Sequence, residues 1–340
     1  MLEKEGEAMK KNLSRREKVL DLLYQNQDKY LSGEELSNKL GVSRTSIWKY
    51  INYLREAGYQ IESSSKVGYR LITSADNLLP EEIKRNLNTE IIGQEIIYYK
   101  EIESTNDTAK RLAQSGVDEG TVVIAEEQKR GKGRLGREFC SPLGGIWLSC
   151  ILRPDIKPTL ATRATYIASL AIVKTINKLS AVDAKIKWPN DILIGDKKVS
   201  GILTEMGAEL DRVDYLVVGM GINLNFSLDN FDESLHNKVT TIYHETGKKV
   251  SRVEFVQALL EEIERIYYKL NNFEEILEEW KAYSYTLGRI VKIDSKREEI
   301  IGEAIDIAED GALLVKVDDK VRKFYSGEVS LCHQGFNSGN

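Results

Sequence analysis

The chain has 340 residues, of which 41% are hydrophobic and 30% are charged, with a net charge of −5. This length exceeds the size at which one hydrophobic core stops growing, and the composition is that of folded protein, so we expect two or three folded domains and no extensive disorder. No apolar run approaches the roughly 20 residues of a membrane helix, and the charged N-terminal stretch does not resemble a secretion signal, so we predict a cytoplasmic protein without a membrane partner.

Charge is distributed unevenly along the chain. Residues 9–74 contain 12 Lys and Arg against 7 Asp and Glu, a net charge of +5. Such a segment favours a polyanionic partner, although solvated basic faces are common in proteins. The assignment of this segment therefore depends on its residue pattern.

The basic segment has the pattern of a winged helix-turn-helix. A first amphipathic helix is predicted over residues 14–26, after a serine cap. A second helix, predicted from Ser32 to Leu40, is followed by a glycine turn and by a third helix that opens at Ser43. Residues 60–72 form two short alternating runs around a polar turn, which predicts the wing. The alternative is a helical protein-interaction module of the same shape.

The third helix is the candidate DNA-recognition element. Side chains and backbone N–H groups near its N-terminus are placed to reach base edges and phosphates. We therefore predict operator DNA as a partner of the N-terminal domain. The predicted DNA-binding residues are Gly33, Ser43, Arg44, Thr45, Ser46, Lys49 and Asn52.

A linker at residues 73–80 follows this domain, which we assign to residues 1–74. Beyond the linker, strand-like runs surround a long apolar helix predicted from about Thr162 to Leu179. Strands mixed with one long helix are typical of an α+β domain with a mixed sheet. We assign this central domain to residues 75–283.

The C-terminal part of the chain changes character twice. Amphipathic helix is predicted over residues 252–282, at the end of the central domain. Residues 286–331 then alternate between apolar and polar, with a turn at residues 309–311, as in a small β-barrel. We assign this third domain to residues 284–340.

The most conspicuous local feature is a basic glycine loop over residues 128–137. Gly131, Gly133 and Gly136 formally match a dinucleotide-binding fingerprint, but no helix is predicted after the last glycine and no acidic strand end follows about 20 residues later. A Walker-type loop is excluded because no Gly-Lys-Ser/Thr ends the run. The loop carries five cations and exposed backbone N–H groups, so it is suited to binding more than one anion. The alternative is a solvated basic hairpin.

Three further clusters carry polar chemistry. Lysines, an Asn-Asp pair and a glycine within residues 187–205 are suited to placing cations and a metal-binding carboxylate around phosphates. Gly219 and Gly221 stand at a strand end, where a ligand can approach the backbone closely. Residues 104–107 precede a helical run, and their alternative role is that of an ordinary helix N-cap. Together with the glycine loop, these clusters indicate a ligand whose anionic group meets a nucleoside triphosphate.

This set of motifs resembles that of the bifunctional biotin protein ligase and biotin operon repressor family, over essentially the whole chain. The matching pieces are the winged helix-turn-helix, Ser-Thr-Asn at 104–106, Gln128, Gly-Lys-Gly-Arg-Leu-Gly-Arg at 131–137, Lys-Trp-Pro-Asn-Asp at 187–191, Lys-Val-Ser-Gly-Ile-Leu-Thr-Glu at 198–205, Gly-Met-Gly-Ile-Asn at 219–223 and the terminal β-module. Lipoate ligases resemble this family in fold but differ in the glycine loop, so the motifs favour biotin.

The resemblance implies a class II synthetase-like catalytic domain and an SH3-like C-terminal β-barrel. It implies an enzyme that converts biotin and ATP to biotinyl-AMP and transfers biotin to the carrier domain of acetyl-CoA carboxylase or a related carboxylase. It also implies a repressor that binds operator DNA as a homodimer, with biotinyl-AMP as corepressor. ATP, Mg²⁺ and biotin would be consumed or bound during turnover, with no permanently bound cofactor. The alternatives are a metabolite sensor without catalysis and a lipoate or other acyl ligase.

The resemblance also implies roles for individual residues. The residues implied to bind biotin are Ser104, Thr105, Asn106, Gln128, Lys132, Gly133, Arg134, Lys198, Gly201, Gly219 and Gly221. Those implied to bind ATP are Lys187, Asn190, Asp191, Arg137, Phe139 and Asn223. Asp191 would hold Mg²⁺, and Lys198, Arg134 and Lys187 would act in catalysis. The chain departs from the family at Lys132, where arginine is more usual, and at Phe139, where tryptophan is frequent near the adenine.

Overall fold

The computed structural model describes residues 15–26, 29–56, 58–64, 67–73, 76–294, 299–325 and 327–331. The chain divides into two compact units, Met1–Asn77 and Leu78–Asn340. The predicted serine cap of the first helix, Ser14, lies outside the described residues.

The first unit contains the predicted helices and hairpin. Its elements are α1 (Arg15–Tyr24), α2 (Gly33–Leu40), α3 (Arg44–Glu56), β1 (Gln60–Ser64) and β2 (Gly68–Thr73). The two strands pair antiparallel. Side chains from all three helices are buried together, so the unit has a hydrophobic core of its own. These core residues include Leu20, Leu23, Leu36, Ile47, Ile51 and Leu54.

Local sequence explains the start and end of α2. The Ser32 Oγ accepts a hydrogen bond from the Glu35 N–H at 3.1 Å, and the Ser32 N–H donates to Glu35 Oε2 at 2.8 Å, which is a capping box. Gly41 ends the helix at φ 62°, a left-handed conformation that glycine adopts without steric cost. These two signals set the short turn between α2 and α3.

A seven-stranded mixed sheet forms the centre of the second unit. Its strands are β3 (Ile96–Ile102), β4 (Val122–Gln128), β5 (Ile146–Leu152), β6 (Ala184–Lys187), β7 (Asp191–Ile194), β8 (Lys197–Glu209) and β9 (Arg212–Ile222). They lie in the order β3-β4-β5-β9-β8-β7-β6. The β3–β4 pair is parallel and the other pairs are antiparallel, which confirms the predicted mixed sheet.

Helices cover both faces of this sheet. They are α4 (Pro80–Arg85), α5 (Thr105–Gln114), α6 (Arg163–Ser180), α7 (Ile242–Thr246), α8 (Arg252–Tyr267) and α9 (Phe273–Ala282). Successive strand residues point to opposite faces, so Val123 and Val217 pack with Ala109 of α5, whereas Val122 and Val218 belong to the larger core that contains α6. The N-terminus of α5 thereby lies beside the central strands.

The C-terminal strands form a second, antiparallel sheet. They are β10 (Ile290–Asp294), β11 (Glu299–Ile307), β12 (Leu313–Val317), β13 (Lys320–Phe324) and β14 (Glu328–Leu331), in the order β13-β12-β11-β10-β14. Within the described ranges β13 and β14 are the two edges of this five-stranded sheet and do not pair, so the small β-barrel predicted from the sequence is not closed. No helix in the described part of the chain has the length and apolar character needed to cross a membrane.

Candidate active site and DNA interface

A cleft of about 440 Å³, here called the first cleft, lies between the N-terminus of α5, the glycine loop and strands β8 and β9. The structure brings to it every residue that we predicted to surround biotin. Those residues are Ser104, Thr105, Asn106, Gln128, Lys132, Gly133, Arg134, Lys198, Gly201, Gly219 and Gly221. Segments more than 100 residues apart in sequence therefore share one cleft.

The first turn of α5 is held in place by Gln128. Thr105 donates to Gln128 Oε1 from its backbone N–H at 2.7 Å and from its hydroxyl at 3.0 Å. Gln128 Nε2 donates in turn to Ser141 Oγ at 3.0 Å. Ser104 caps the helix by accepting from the Asp107 N–H at 3.4 Å, and it also lines the cleft, so its capping role does not remove it from the cleft surface.

The Asn106 side chain makes three hydrogen bonds at the first cleft. Its Oδ1 accepts from Ser149 Oγ at 2.6 Å, and its Nδ2 donates to Glu205 Oε2 at 3.1 Å and to the Leu203 carbonyl at 3.2 Å. A Cβ at Gly219 would lie 1.9 Å from Asn106 Oδ1, so this position requires glycine. The carboxamide of Asn106 therefore has a single orientation.

Two residues of this network were not predicted from the sequence. Ser149 lies in the apolar strand β5 and has no local signal, because only pairing of β5 with its neighbours places it beside α5. Glu205 ends the recognised motif at 198–205 without an assigned role. It accepts a hydrogen bond from Lys110 at 3.1 Å, and this bond raises the pKa of the Lys110 ammonium.

Two of the predicted ligand-binding glycines lie against an aromatic ring. A Cβ at Gly221 would come within 2.6 Å of the Phe139 ring, and one at Gly201 within 3.0 Å. Phe139 also packs edge-on against Trp147 with 5.9 Å between ring centroids, and Lys198 Nζ lies 5.6 Å from its centroid. These glycines therefore leave room for the Phe139 ring over β8 and β9.

A second cleft, of about 1240 Å³, continues from the first. Residues predicted to bind ATP line it, namely Arg137, Phe139, Lys187, Asn190 and Asp191. Gly133, Arg134, Phe139, Asn190 and Lys198 line both clefts and mark their junction. At this junction Lys198 Nζ lies 2.7 Å from Asp191 Oδ1, and Arg134 Nη1 donates to Asn190 Oδ1 at 2.9 Å.

The bend that carries these residues is held by groups distant in sequence. Pro189 follows Trp188 through a cis peptide bond, and the Trp188 indole N–H donates to the Tyr166 hydroxyl at 3.1 Å. The same hydroxyl donates to the carbonyl of Gly311 at 2.7 Å, and burial raises the pKa of Tyr166. The Trp188 N–H donates to Thr286 Oγ1 at 2.9 Å. Hydrogen bonds to the C-terminal part of the chain therefore hold the bend in place.

The cations of the glycine loop do not all face the clefts. Lys129 pairs with Glu101 at 2.7 Å, and Arg130 pairs with Glu103 at 3.4 Å, at the end of β3. Lys132 pairs with Asp107 at 2.7 Å while it lines the first cleft. The loop consequently supplies positive charge to the clefts from Lys132, Arg134 and Arg137.

Asn223, which was predicted to bind ATP, is a buried residue. Its side chain is 2% exposed and lines neither cleft. Its Nδ2 donates to the Thr240 carbonyl at 3.0 Å, because the chain leaves the sheet after β9 and folds back there. This hydrogen bond ties the end of β9 to the segment around Thr240.

The predicted DNA-binding residues lie together around the start of α3. Arg44, Thr45 and Lys49 are exposed, whereas Ser46 and Asn52 are half-buried. Ser43 Oγ accepts from the Ser46 N–H at 3.1 Å and so caps the helix. A Cβ at Gly33 would be 3.6 Å from Tyr69 of the hairpin and 3.9 Å from Arg44, which places this glycine beside the same face. Trp48, 55% exposed, is a member of the helix that we did not predict to take part.

Comparisons with known proteins agree on the family of each part. Residues 98–223 match the Biotin/lipoate A/B protein ligase family, residues 15–70 match an HTH domain, and residues 286–332 match the Biotin protein ligase C terminal domain. The chain is 37% identical to the Bifunctional ligase/repressor BirA of Bacillus subtilis over 319 residues, which cover 93% of this chain and 98% of that protein.

More distant relatives match in the same way. The Bifunctional ligase/repressor BirA of Escherichia coli is 30% identical over 308 residues, covering 88% of this chain and 92% of that protein. A biotin protein ligase from Aquifex aeolicus, solved in complex with biotin and ATP, superposes with a TM-score of 0.62 and 30% identity. That match covers 71% of this chain and 100% of the other. The chain belongs to the family of bifunctional biotin ligase/repressors.

Proposed function

We propose that the protein activates biotin with ATP to biotinyl-AMP, transfers biotin to a lysine of a carboxylase carrier domain, and represses biotin genes with biotinyl-AMP as corepressor. The continuity of the two clefts supports this most directly. The first cleft, with the Asn106 carboxamide held in one orientation, opens at Lys198 and Arg134 into a larger cleft with an excess of cations. This arrangement suits a small acid whose carboxylate must meet a triphosphate.

The residue roles follow from this arrangement. We assign biotin to the first cleft, with its ring end near Thr105 and Gln128 and its carboxylate near Lys198. The triphosphate of ATP occupies the second cleft, beside Lys187. Asp191 offers a carboxylate for the Mg²⁺ that arrives with ATP, since Mg²⁺ in such sites is held by one or two carboxylates together with substrate phosphates.

The first chemical step joins two anions. A biotin carboxylate oxygen attacks the α-phosphorus, the bond from this phosphorus to the bridging oxygen breaks, and pyrophosphate leaves. Arg134, Lys187 and Lys198 favour the step by holding the anions together and by stabilising charge that builds on the phosphates. No protein nucleophile is required, since the carboxylate itself attacks.

The second step uses the mixed anhydride. The uncharged amine of the carrier lysine attacks the biotinyl carbonyl carbon, an amide forms, AMP leaves, and the amine proton passes to solvent. Enclosure of biotinyl-AMP beneath the loop 131–137 would protect the anhydride from water. The exposed position of Arg137 on this loop leaves room for such a movement.

Pyrophosphate release distinguishes the proposal from its two alternatives. The protein is mixed with MgATP and either biotin or lipoate, and pyrophosphate is measured. We expect pyrophosphate release in the mixture with biotin and no release in the mixture with lipoate. Pyrophosphate release with lipoate and not with biotin would identify a lipoate ligase. Tight biotin binding without pyrophosphate release would identify a metabolite sensor.

The ligase activity should survive removal of the N-terminal domain. Every residue assigned to the chemistry lies in the unit Leu78–Asn340, so a fragment of residues 75–340 is expected to biotinylate a carrier domain. The fragment must keep Leu78, because its N–H donates to the buried Glu126 carboxylate at 2.9 Å. A folded fragment without transfer activity, checked by thermal unfolding, would show that the N-terminal domain helps to build the site.

We further propose that biotinyl-AMP promotes a homodimer that binds a two-fold symmetric operator. One winged helix makes few base contacts, so proteins with this domain usually gain DNA affinity by binding two half-sites as dimers. Biotinyl-AMP offers both the ring end of biotin and a phosphate to the loop 131–137, so it can order this loop. A loop that is already ordered loses less conformational entropy when it pairs with a second subunit. At the loop tip, Leu135 is 62% exposed and offers an apolar contact.

This coupling predicts a joint change in assembly and DNA binding. When biotin and MgATP are added, the sedimentation coefficient and the operator affinity are expected to increase together, with a smaller increase for biotin alone. Equal operator binding with and without ligand, at every protein concentration, would separate the two activities.

The fold of the C-terminal domain belongs to the same proposal. We assign the C-terminal antiparallel sheet, whose edge strands β13 and β14 do not pair in the described ranges, to an SH3-like fold, supported by the match of residues 286–332 to the Biotin protein ligase C terminal domain. The domain boundaries at residues 74 and 283 and the cytoplasmic location stay predictions.

A further inference from the structure

Lys238 brings a lysine to the second cleft that none of the sequence motifs contains. It lies between β9 and α7, and its side chain is exposed on the cleft. The Lys198 N–H donates to the Lys238 carbonyl at 2.8 Å, and the Thr240 N–H donates to the Lys198 carbonyl at 2.9 Å. The backbone that carries Lys238 is thus tied to the start of β8, beside Lys198.

The ammonium of Lys238 makes no ion pair or hydrogen bond within the part of the chain that the structure describes. Lys198, in contrast, is paired with Asp191. Lys187 and Arg137 line the same cleft, where, among the residues that the structure describes, the five Lys and Arg residues outnumber the two carboxylates, Glu138 and Asp191, so Lys238 adds to an excess of positive charge. Gathering like charges is unfavourable unless an anion of high charge binds among them.

The position of Lys238 indicates which part of that anion it would meet. Lys198 and Arg134 line both clefts and therefore mark the place where the biotin carboxylate and the α-phosphate react. Lys238 lines the second cleft and not the first. It is therefore placed for phosphates beyond the reacting one.

We propose that Lys238 binds the β- and γ-phosphates of ATP and the pyrophosphate that leaves. This inference rests on the proposed ligase function and names a further substrate-binding residue for it. Because biotinyl-AMP retains only the α-phosphate, Lys238 contributes to binding of ATP and pyrophosphate and not to retention of the intermediate. Lys238 would therefore favour adenylation of biotin without adding to the affinity for biotinyl-AMP, the proposed corepressor.

The test compares full-length Lys238→Ala with the wild-type protein. The KM for MgATP and the inhibition constant for inorganic pyrophosphate are each expected to rise about tenfold, the effect of losing roughly 1.4 kcal/mol of binding. The KM for biotin, the dissociation rate of biotinyl-AMP and the transfer rate from preformed biotinyl-AMP should not change. Lys238→Arg should restore most of the MgATP affinity because it keeps the charge.

Lys248→Ala is the matched control, because Lys248 is an exposed lysine of the same region that lines neither cleft. An unchanged KM for MgATP in Lys238→Ala would overturn the inference. So would an equal weakening of MgATP and biotinyl-AMP binding, since that would show a general structural role. Failure of the ligase function itself is distinguishable, because the wild-type protein would then release no pyrophosphate with biotin.

Discussion

Replacing Lys198 by alanine is expected to lower the rate of biotinyl-AMP formation by on the order of 10²–10³, the usual loss for one preorganised charge in an active site. Lys198 lines both clefts, and its Nζ lies 2.7 Å from Asp191 Oδ1 at their junction. A carboxylate and a triphosphate must approach each other there, so the ammonium stabilises both the encounter and the charge that develops. The rate is measured in a single turnover with saturating biotin and MgATP.

Lys197→Ala provides the control for this variant. Lys197 precedes Lys198 in β8, where successive side chains point to opposite faces, and it lines neither cleft. Its replacement should leave adenylation near normal. Thermal unfolding, and operator binding measured without biotin or ATP, should be unaffected in both variants. Near-normal adenylation by Lys198→Ala would remove Lys198 from the mechanism.

Replacing Gly219 by alanine is expected to weaken biotin binding about 100-fold, which corresponds to about 2.8 kcal/mol of binding free energy. The added methyl group would lie 1.9 Å from Asn106 Oδ1, so the carboxamide must leave its position. Asn106 would then lose its bonds to Ser149, Glu205 and the Leu203 carbonyl. Biotin affinity is measured by calorimetry in the absence of ATP.

A double-mutant cycle shows whether Asn106 is the cause. If Gly219→Ala acts by displacing this side chain, then Asn106→Ala should weaken biotin binding to a similar extent, and the double variant should be little worse than either single variant. Additive losses, or normal biotin affinity in Gly219→Ala, would contradict the proposed role of Asn106. Thermal unfolding of each variant separates loss of the site from loss of the fold.

Local signals were sufficient for much of the fold. The capping residue Ser32 and the left-handed Gly41 set the bounds of α2, and periodicity identified α6, because both depend on residues a few positions apart. The C-terminal strands form as predicted, but the barrel is not closed, since closure depends on which edge strands meet. Strand alternation predicts strands and does not specify the pairing of β13 with β14.

The site was predictable where its residues form motifs. The motifs at 104–106, 131–137 and 187–191 meet in two joined clefts. Ser149 reaches Asn106 only through long-range strand pairing, and Lys238 reaches the second cleft only through a returning loop. Asn223 is placed differently from the other residues predicted to bind ATP. It adjoins a glycine motif in sequence, yet the chain turns after β9 and directs its side chain toward Thr240. Proximity in sequence was therefore a reliable guide only within one element.

The central claim is that one bound intermediate serves both the ligase and the repressor. It is tested most directly by loading the protein with biotinyl-AMP on operator DNA and then adding unmodified carrier domain, while carrier biotinylation and operator occupancy are followed together. We predict that operator occupancy falls as biotin reaches the carrier, with both changes following one time course. Complete transfer of biotin with operator occupancy unchanged would contradict the account.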